Sequence, residues 1–408
     1  MSTTPVPVGL RFVAAYAFAC VGLWVALLAP AMVTVALRIQ ALAPADSANS
    51  ISAVLGSGAL VALIANPIFG ALSDRTRSRF GRRRPWLIAG MIGGSMALAL
   101  IAIADTIPTI LLGWCLAQLA FNATLAPLMA ILPDRVPIAQ RGTVSGVLAM
   151  CMPLGQIAGT FLVQQLAGNP LLAFLGPAAV GLIGVLLFAF VLPDDPALPE
   201  PRVSATPVAD LGWHLLQQRR DFAWAWLSRV FFVTGTSFLF AYQPIYLVNS
   251  LAVAAHAVPR LIFQATLVHA GMVAVWSVTA GRLSDFTGKR RILVMSGALL
   301  QALGLWLVAT ADSYSAFLAA VALAGAGHGI YDGIDLALVT ELLPDRARSA
   351  AKDLGILNIT NTLPQVIAPA LGPVVLAAAG GNDAVLFAAA GGAALLAGVL
   401  LLPLRHVR

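Results

Sequence analysis

The chain has 408 residues, of which 60% are hydrophobic and only 10% are charged. Soluble domains average about 25% charged residues, so this composition excludes a protein whose surface lies mostly in water. The net charge of +7 suits a membrane protein beside anionic lipid as well as it suits a nucleic-acid binder.

Twelve apolar runs follow one another along the chain, each long enough for the roughly 20 residues with which a helix crosses the hydrocarbon core. They are rich in Ala, Leu and Gly and lack the alternation of a membrane β-strand. The first run is too long for a cleavable signal, whose apolar part has about 7–15 residues, and is interpreted as a retained span. We predict an all-α membrane protein with spans at residues 12–37, 50–72, 86–104, 108–132, 142–166, 170–192, 223–248, 258–283, 291–310, 314–342, 353–379 and 384–404.

Six arginines are concentrated between the second and third spans, in the stretch SDRTRSRFGRRRPW at residues 73–86. If the N-terminus lies inside, this loop and all other lysines and arginines lie inside, except Arg38, Arg229 and Arg260. The positive-inside rule therefore predicts a multi-pass protein of the cell membrane, either an inner or a plasma membrane, with both termini in the cytoplasm.

The segment between the sixth and seventh spans holds five prolines and several charges, which is typical of a linker. The predicted organisation is an N-terminal six-helix bundle at 1–192, a cytoplasmic linker at 193–222 and a C-terminal six-helix bundle at 223–408. A short amphipathic surface helix over Val208–Arg220 is a further expectation within the linker.

The two halves repeat each other at a constant offset of 211 residues. Three matches in one register indicate a duplication of a six-span unit. The loop after the second span is four residues longer than its copy after the eighth, as counted from its aspartate to its glycine. The matched positions are Gly70–Asp74 with Gly281–Asp285, Leu132–Arg135 with Leu343–Arg346, and Pro153 with Pro364.

Parallel six-span repeats and the loop pattern Gly70-x-Leu-Ser-Asp74-Arg…Gly81-Arg-Arg resemble the major facilitator superfamily. The resemblance implies two pseudo-symmetric bundles, a substrate site near the midplane between them, and alternating access by rocking. The longer loop and the stretches Asp335–Asp345 and Lys352–Gln365 are similar to the glycoside–pentoside–hexuronide cation symporters, especially their sucrose-transporter branch.

The same resemblance implies a conformational role for the loop. Gly70 is expected to allow close approach of helices, Gly81 a tight turn, and Asp74 a contact with the amino end of the eleventh span. The arginines can pair with acidic groups or lipid phosphates, but the alternative is a topology signal without a conformational role. The proposed switch residues are Gly70, Asp74, Arg75, Gly81, Arg82, Arg83, Asp285, Lys289 and Arg290.

Three ionisable residues of the tenth span, His328, Asp332 and Asp335, are spaced i, i+4, i+7 and share one helical face. An ionisable residue at membrane depth costs about 2.5–3.5 kcal/mol of insertion free energy, so this face should point into the protein or a water-filled cavity. Arg229 of the seventh span lies at a similar depth, and in the superfamily both spans line the cavity. We predict an Arg229–Asp335 ion pair, with Asp332 free to bind a proton or a substrate hydroxyl; the alternative is a static packing pair.

Other polar residues within spans are weaker candidates. His328 is a candidate proton relay, whereas His269 is more typical of a hydrogen-bonded packing residue, and Tyr331 lies beside the acidic face. Amides and aromatic rings suit polyhydroxylated ligands, but their alternative role is interhelical hydrogen bonding, at about 0.6 kcal/mol each. These further candidates are Gln118, Asn122, Asn358, Asn361, Gln365, Gln243 and Tyr246.

Spans one, two, four and five contain no Asp or Glu, unlike those of the sodium-using melibiose branch, so proton coupling is the better hypothesis. The function expected is secondary transport that imports a sugar or glycoside with a proton. The alternative is a proton-driven exporter of a drug-like or biosynthetic molecule on the same fold.

The expected partners are a small, polyhydroxylated substrate and the lipid bilayer, and the chain is expected to be a monomer. No cofactor beyond the coupling proton and no metal is expected. The cysteines, Cys20, Cys115 and Cys151, have neither metal-ligand nor disulfide spacing. Membrane-enzyme motifs are missing from the sequence, and no aromatic platform for nucleic acid accompanies the arginines, so neither class is favoured.

Overall fold

A computed structural model describes residues 7–192, 220–342 and 350–404, and for 138, 139, 142, 220, 285, 336–342, 350–359, 361 and 362 it describes the backbone alone. Every regular element in these ranges is helical, which confirms the predicted class. The α-helices are α1 Leu10–Ala29, α2 Val35–Leu42, α3 Ser47–Arg75, α4 Arg84–Ile103, α5 Ile107–Arg135, α6 Ile138–Ala149, α7 Cys151–Leu166, α8 Pro170–Val191, α9 Arg220–Asn249, α10 Val258–Thr287, α11 Arg290–Ala309, α12 Tyr314–Leu342, α13 Ala350–Ala378 and α14 Ala384–Val399.

The helices follow the predicted spans closely. In the part of the chain that the structure describes, ten helical stretches are long and apolar enough to cross a membrane. Two shorter apolar stretches, Leu363–Ala378 and Ala384–Val399, fall on the eleventh and twelfth predicted spans. Nearly all of the predicted linker, and with it the helix expected over Val208–Arg220, lies outside the described residues.

Two of the predicted spans are not regular α-helices throughout. The first span contains a π-helical turn, Pro30–Thr34, between α1 and α2. The fifth is interrupted at Met150, three residues before Pro153, whose ring would clash with the carbonyl four residues earlier.

Gly70 is not a close-approach site, because an added Cβ would lie 3.9 Å from the Ala126 Cβ, at ordinary contact distance.

Contacts divide the chain into two compact units, Met1–Pro201 with Ala255–Phe263, and Arg202–Ala254 with Gln264–Arg408. In the first unit, Tyr16 of α1 stacks on Phe188 of α8 with ring centroids 5.0 Å apart. Its hydroxyl donates to the Leu128 carbonyl of α5 at 2.6 Å, so one buried side chain joins three helices.

The duplication is visible in matching contacts at the arginine-rich loop and its copy. Arg84, at the start of α4, donates to the Leu192 carbonyl just after α8. Arg291, at the start of α11, donates to the Leu404 carbonyl after α14 at 2.7 Å. In each unit, therefore, an arginine at the start of the third span binds a carbonyl beyond the end of the sixth.

A row of glycines brings α12 close to α10. Gly325, Gly329 and Gly333 recur every four residues and face backbone atoms of α10. A Cβ at Gly329 would lie 2.5 Å from the Val273 carbonyl oxygen and 2.9 Å from its Cα. The close approach places the side chains of α10 directly against the polar face of α12.

Gly329→Ala is expected to destabilise the protein by about 1–3 kcal/mol, the usual cost of overpacking, because backbone atoms of α10 must move away. The matched control is Gly271→Ala on α10, where an added Cβ meets no heavy atom within 4 Å. That change should be neutral or stabilising by up to about 1 kcal/mol. Thermal unfolding of both variants in detergent checks this, and equal midpoints would contradict the packing argument.

Candidate functional site

Two largely buried charges of the second unit form an ion pair between α9 and α12. Arg229 Nη1 of α9 donates to Asp335 Oδ2 of α12. Only 2% of the Asp335 side chain and 19% of the Arg229 side chain is exposed. The ion pair predicted from the sequence is therefore confirmed, with Asp335 rather than Asp332 as the partner.

The second carboxylate of α12 has a different environment. Asp332 Oδ2 lies 3.2 Å from Nε2 of His328, one turn earlier on the same helix, and 42% of its side chain is exposed. The other ring nitrogen of His328, Nδ1, is buried and has no hydrogen-bond partner among the described residues. The two acids, three residues apart, therefore have different environments. Asp335 is buried in an ion pair, and Asp332 is accessible beside an imidazole.

His269 extends this group onto α10. Its ring centroid lies 5.3 Å from that of His328 and 5.2 Å from that of Phe240, in edge-on contacts. Gly325 makes this possible, because a Cβ there would lie 2.8 Å from the His269 carbonyl oxygen. His269 is 6% exposed, so it lines the inner side of the group rather than its accessible side.

Tyr331 supports the acidic face from within the core. It is fully buried and stacks on Phe232 of α9 with ring centroids 3.7 Å apart. Its hydroxyl lies 3.0 Å from the Ser228 hydroxyl, which donates to the Ala397 carbonyl of α14. These contacts join α9, α12 and α14 through Ser228, the residue before Arg229.

The first unit holds an uncharged polar group between α3 and α5. Asn122 donates to the Gln118 carbonyl at 2.8 Å, and both side chains are buried. Asn66 of α3 donates to Asn122 Oδ1 at 3.1 Å. Asn66 was not among the candidates from the sequence; the only signal there was an amide side chain within an apolar span.

The remaining polar candidates have varied environments. The Tyr246 hydroxyl donates to the carbonyls of Val308 at 2.6 Å and Ala311 at 3.0 Å, so it joins α9 to the end of α11. Gln243 is 2% exposed, and its Nε2 has no partner within the described ranges. Gln365 is exposed on α13, whereas the side chains of Asn358 and Asn361 lie outside the described residues.

The arginine-rich loop of the first unit contains a buried guanidinium. Arg83, which is 4% exposed, pairs with Asp74 at 2.6 Å and with Asp134 at 2.9 Å, and donates to Ser73 Oγ. Arg82 pairs with Asp134 at 2.8 Å. The prediction that loop arginines pair with acidic groups is confirmed for these two.

The other switch candidates are a glycine in a turn, three cations and Asp285. Gly81 has φ +94° and Gly288 has φ +65°, a left-handed conformation that favours glycine, so the tight turn expected at Gly81 is confirmed. Arg75 and Lys289 are exposed, and Arg290 is half-buried. The side chain of Asp285 lies outside the described residues, so its role in the switch stays a prediction.

Among the described residues no group of three or more His, Cys, Asp or Glu side chains could hold a metal ion. The site therefore offers hydrogen bonds, one accessible carboxylate and two imidazoles. Such groups can bind a neutral polar molecule and exchange a proton.

The sequence model of the Major Facilitator Superfamily matches residues 12–276 and 261–408. Sucrose transport protein SUC3 of Arabidopsis thaliana is 28% identical over 151 residues, which cover 30% of this chain and 25% of that protein. Solute carrier family 45 member 3 of Mus musculus is 33% identical over 155 residues, which cover 34% of this chain and 28% of that protein. The matches thus span about a quarter of the curated relatives. The crystal structure of the nucleoside transporter NupG superposes with a TM-score of 0.74 at 16% identity and covers 98% of this chain and 99% of that chain.

Proposed function

Since the chain belongs to the Major Facilitator Superfamily, we propose that it is a secondary transporter that works by alternating access and imports a sugar or glycoside together with a proton. The named sucrose transport relative supports the substrate class. Family membership supports a small-molecule substrate.

One observation carries the proton-coupling part of the proposal: the contrast between the two carboxylates of α12. Asp335 is neutralised by Arg229 and almost fully buried, so it holds α9 against α12. Asp332 is 42% exposed and contacts the imidazole of His328. A proton can therefore reach Asp332 and leave it without breaking the buried ion pair.

His328 links this proton to the interior of the second unit. When Asp332 is ionised, its oxygen accepts a hydrogen bond from His328 Nε2. When Asp332 is protonated, the attraction between the two groups weakens and the imidazole is released from its position. His328 is therefore the proposed proton relay, and His269 packs edge-on against its ring.

The substrate is uncharged in this proposal. The buried Gln118–Asn122–Asn66 group offers both donors and acceptors in the first unit, and amides suit hydroxyl groups. Arg229, a cationic group within a span of the second unit, is already paired with Asp335. An anionic substrate would have to displace that carboxylate.

The protein is proposed to act as a monomer in the cell membrane, with both termini in the cytoplasm. The distribution of lysine and arginine supports this orientation, because moving the arginine-rich loop across the membrane would be costly.

Purified protein in proteoliposomes is expected to accumulate labelled sucrose or maltose when an inward proton gradient is imposed. A protonophore should abolish accumulation, and an inward sodium gradient should not replace the proton gradient. Uridine and a cationic amphiphile serve as comparison substrates. Accumulation of neither sugar, together with proton-driven movement of the amphiphile, would contradict sugar import and favour the exporter.

A further inference from the structure

The arginine-rich loop contains four residues without a counterpart in the second unit. Thr76 donates its hydroxyl to the Leu72 carbonyl at 2.8 Å, and Thr287 donates to the Leu283 carbonyl at 2.7 Å, so these threonines are equivalent. Gly81 and Gly288, both with positive φ, are equivalent after the loop. The extension is therefore residues 77–80, with the sequence Arg-Ser-Arg-Phe.

The extension forms a turn that displays an aromatic ring and a cation together. Gly81 N donates to the Ser78 carbonyl at 3.0 Å, and Phe80 N donates to Ser78 Oγ at 3.1 Å. Phe80 is consequently 59% exposed. The Arg79 guanidinium lies 4.8 Å from the centroid of its ring.

The cations of this turn lack acidic partners. Asp74 and Asp134, two carboxylates at this end of the unit, are already bound by Arg82 and Arg83. Arg77 and Arg79 are exposed and have no ion pair with any residue that the structure describes. Among the described residues, therefore, this part of the surface is positive without a counter-charge.

An apolar groove begins at the same turn. It lies between α4 and α8, has a volume of about 490 Å³ and is lined by Phe80, Arg84, Ile88, Ile92, Leu186 and Phe190, among others. Ile88 and Ile92 are one helical turn apart on α4, so the groove runs from the loop into the membrane-spanning part of the helix. Its lining is apolar apart from Arg84 at the end nearest the loop.

We propose that residues 77–80 and this groove bind one anionic phospholipid. Arg77 and Arg79 bind the phosphate, which guanidinium groups recognise by paired hydrogen bonds. Phe80 lies at the level of the headgroup, where aromatic rings are favoured, and one acyl chain lies along Ile88 and Ile92. The positive turn adjoins an apolar groove, and a phospholipid joins an anionic headgroup to an apolar chain in the same way. Neither a nucleic acid nor a soluble protein would match this combination.

The test measures lipid affinity of the purified full chain in neutral detergent, from the rise in its unfolding temperature as lipid is added. Phosphatidylglycerol should raise the midpoint and phosphatidylcholine should not. The variant Arg77→Gln/Arg79→Gln should bind phosphatidylglycerol roughly 30-fold more weakly, from about fivefold for each guanidinium near an anionic surface. Both side chains are exposed, so the variant should fold as the wild type does.

The matched control is Arg282→Gln/Lys289→Gln, which removes two exposed cations from the corresponding end of the second unit and should keep wild-type affinity. Equal losses in the two variants would overturn the proposal, because they would indicate general charge attraction. Unchanged affinity in the first variant, or an equal response to phosphatidylcholine, would also overturn it. So would an equal response to soluble glycerophosphoglycerol, which has the headgroup but no acyl chain to occupy the groove.

Discussion

Replacing Asp332 with Asn is expected to abolish accumulation of sugar under a proton gradient and to leave the protein folded. The amide has nearly the same shape as the carboxylate and can still accept the hydrogen bond from His328 Nε2. Because 42% of the Asp332 side chain is exposed, the substitution leaves no deeply buried charge without a partner. What it removes is the ability to gain and lose a proton.

Two measurements separate lost coupling from lost binding in this variant. Exchange of labelled for unlabelled sugar without a gradient should persist, because it requires binding and rocking but no net proton movement. The control Asp312→Asn changes an exposed acid before α12, outside the spans, and should transport as the wild type does. Full accumulation by Asp332→Asn would remove this residue from the coupling mechanism.

Replacing Arg229 with Met alone is expected to cost about 3–5 kcal/mol of stability, because it leaves a buried carboxylate without its partner. Asp335 is 2% exposed, and its neighbour Tyr331 is fully buried, so water cannot easily take the place of the guanidinium. The double variant Arg229→Met/Asp335→Leu should recover most of this loss, since apolar side chains of similar volume often replace a buried pair at little cost.

Thermal unfolding of the single and double variants measures the stability part of this prediction, and sugar uptake by the double variant measures the functional part. If the pair only holds α9 against α12, the double variant should fold and transport. A double variant that is as unstable as the single one would contradict the stability argument. A stable double variant without transport would instead place the pair in the transport mechanism.

Much of the fold could be predicted because the membrane imposes one length and one composition on every span. The ion pair could be predicted for a related reason, since a charge within a span requires a partner and Arg229 was the cation at the depth of Asp335. Hydropathy, however, says nothing about local irregularities. The interruption at Met150 and the π-turn at Pro30–Thr34 depend on proline sterics and packing that the apolar pattern does not contain.

The polar candidates were harder to rank from sequence. Tyr246 and Gln118 both read as polar side chains within spans, yet the Tyr246 hydroxyl is occupied by two carbonyls at the end of α11. Asn66 was overlooked because a single amide has no periodic partner on its own helix. Its partner, Asn122, is on α5, so only the packing of α3 against α5 reveals the contact.

The unequal placement of charge in the two units has a consequence for how the membrane potential can act. Apart from Arg38 near one end of the first span and Arg260 near the start of the eighth, the ionisable Asp, Glu, His, Lys and Arg residues within the predicted spans belong to the second unit, whereas the buried polar group of the first is made of neutral amides. An electric field does work only on charge, about 2.3 kcal/mol for each elementary charge carried through 100 mV. Voltage should therefore act more strongly on the helices of the second unit than on those of the first.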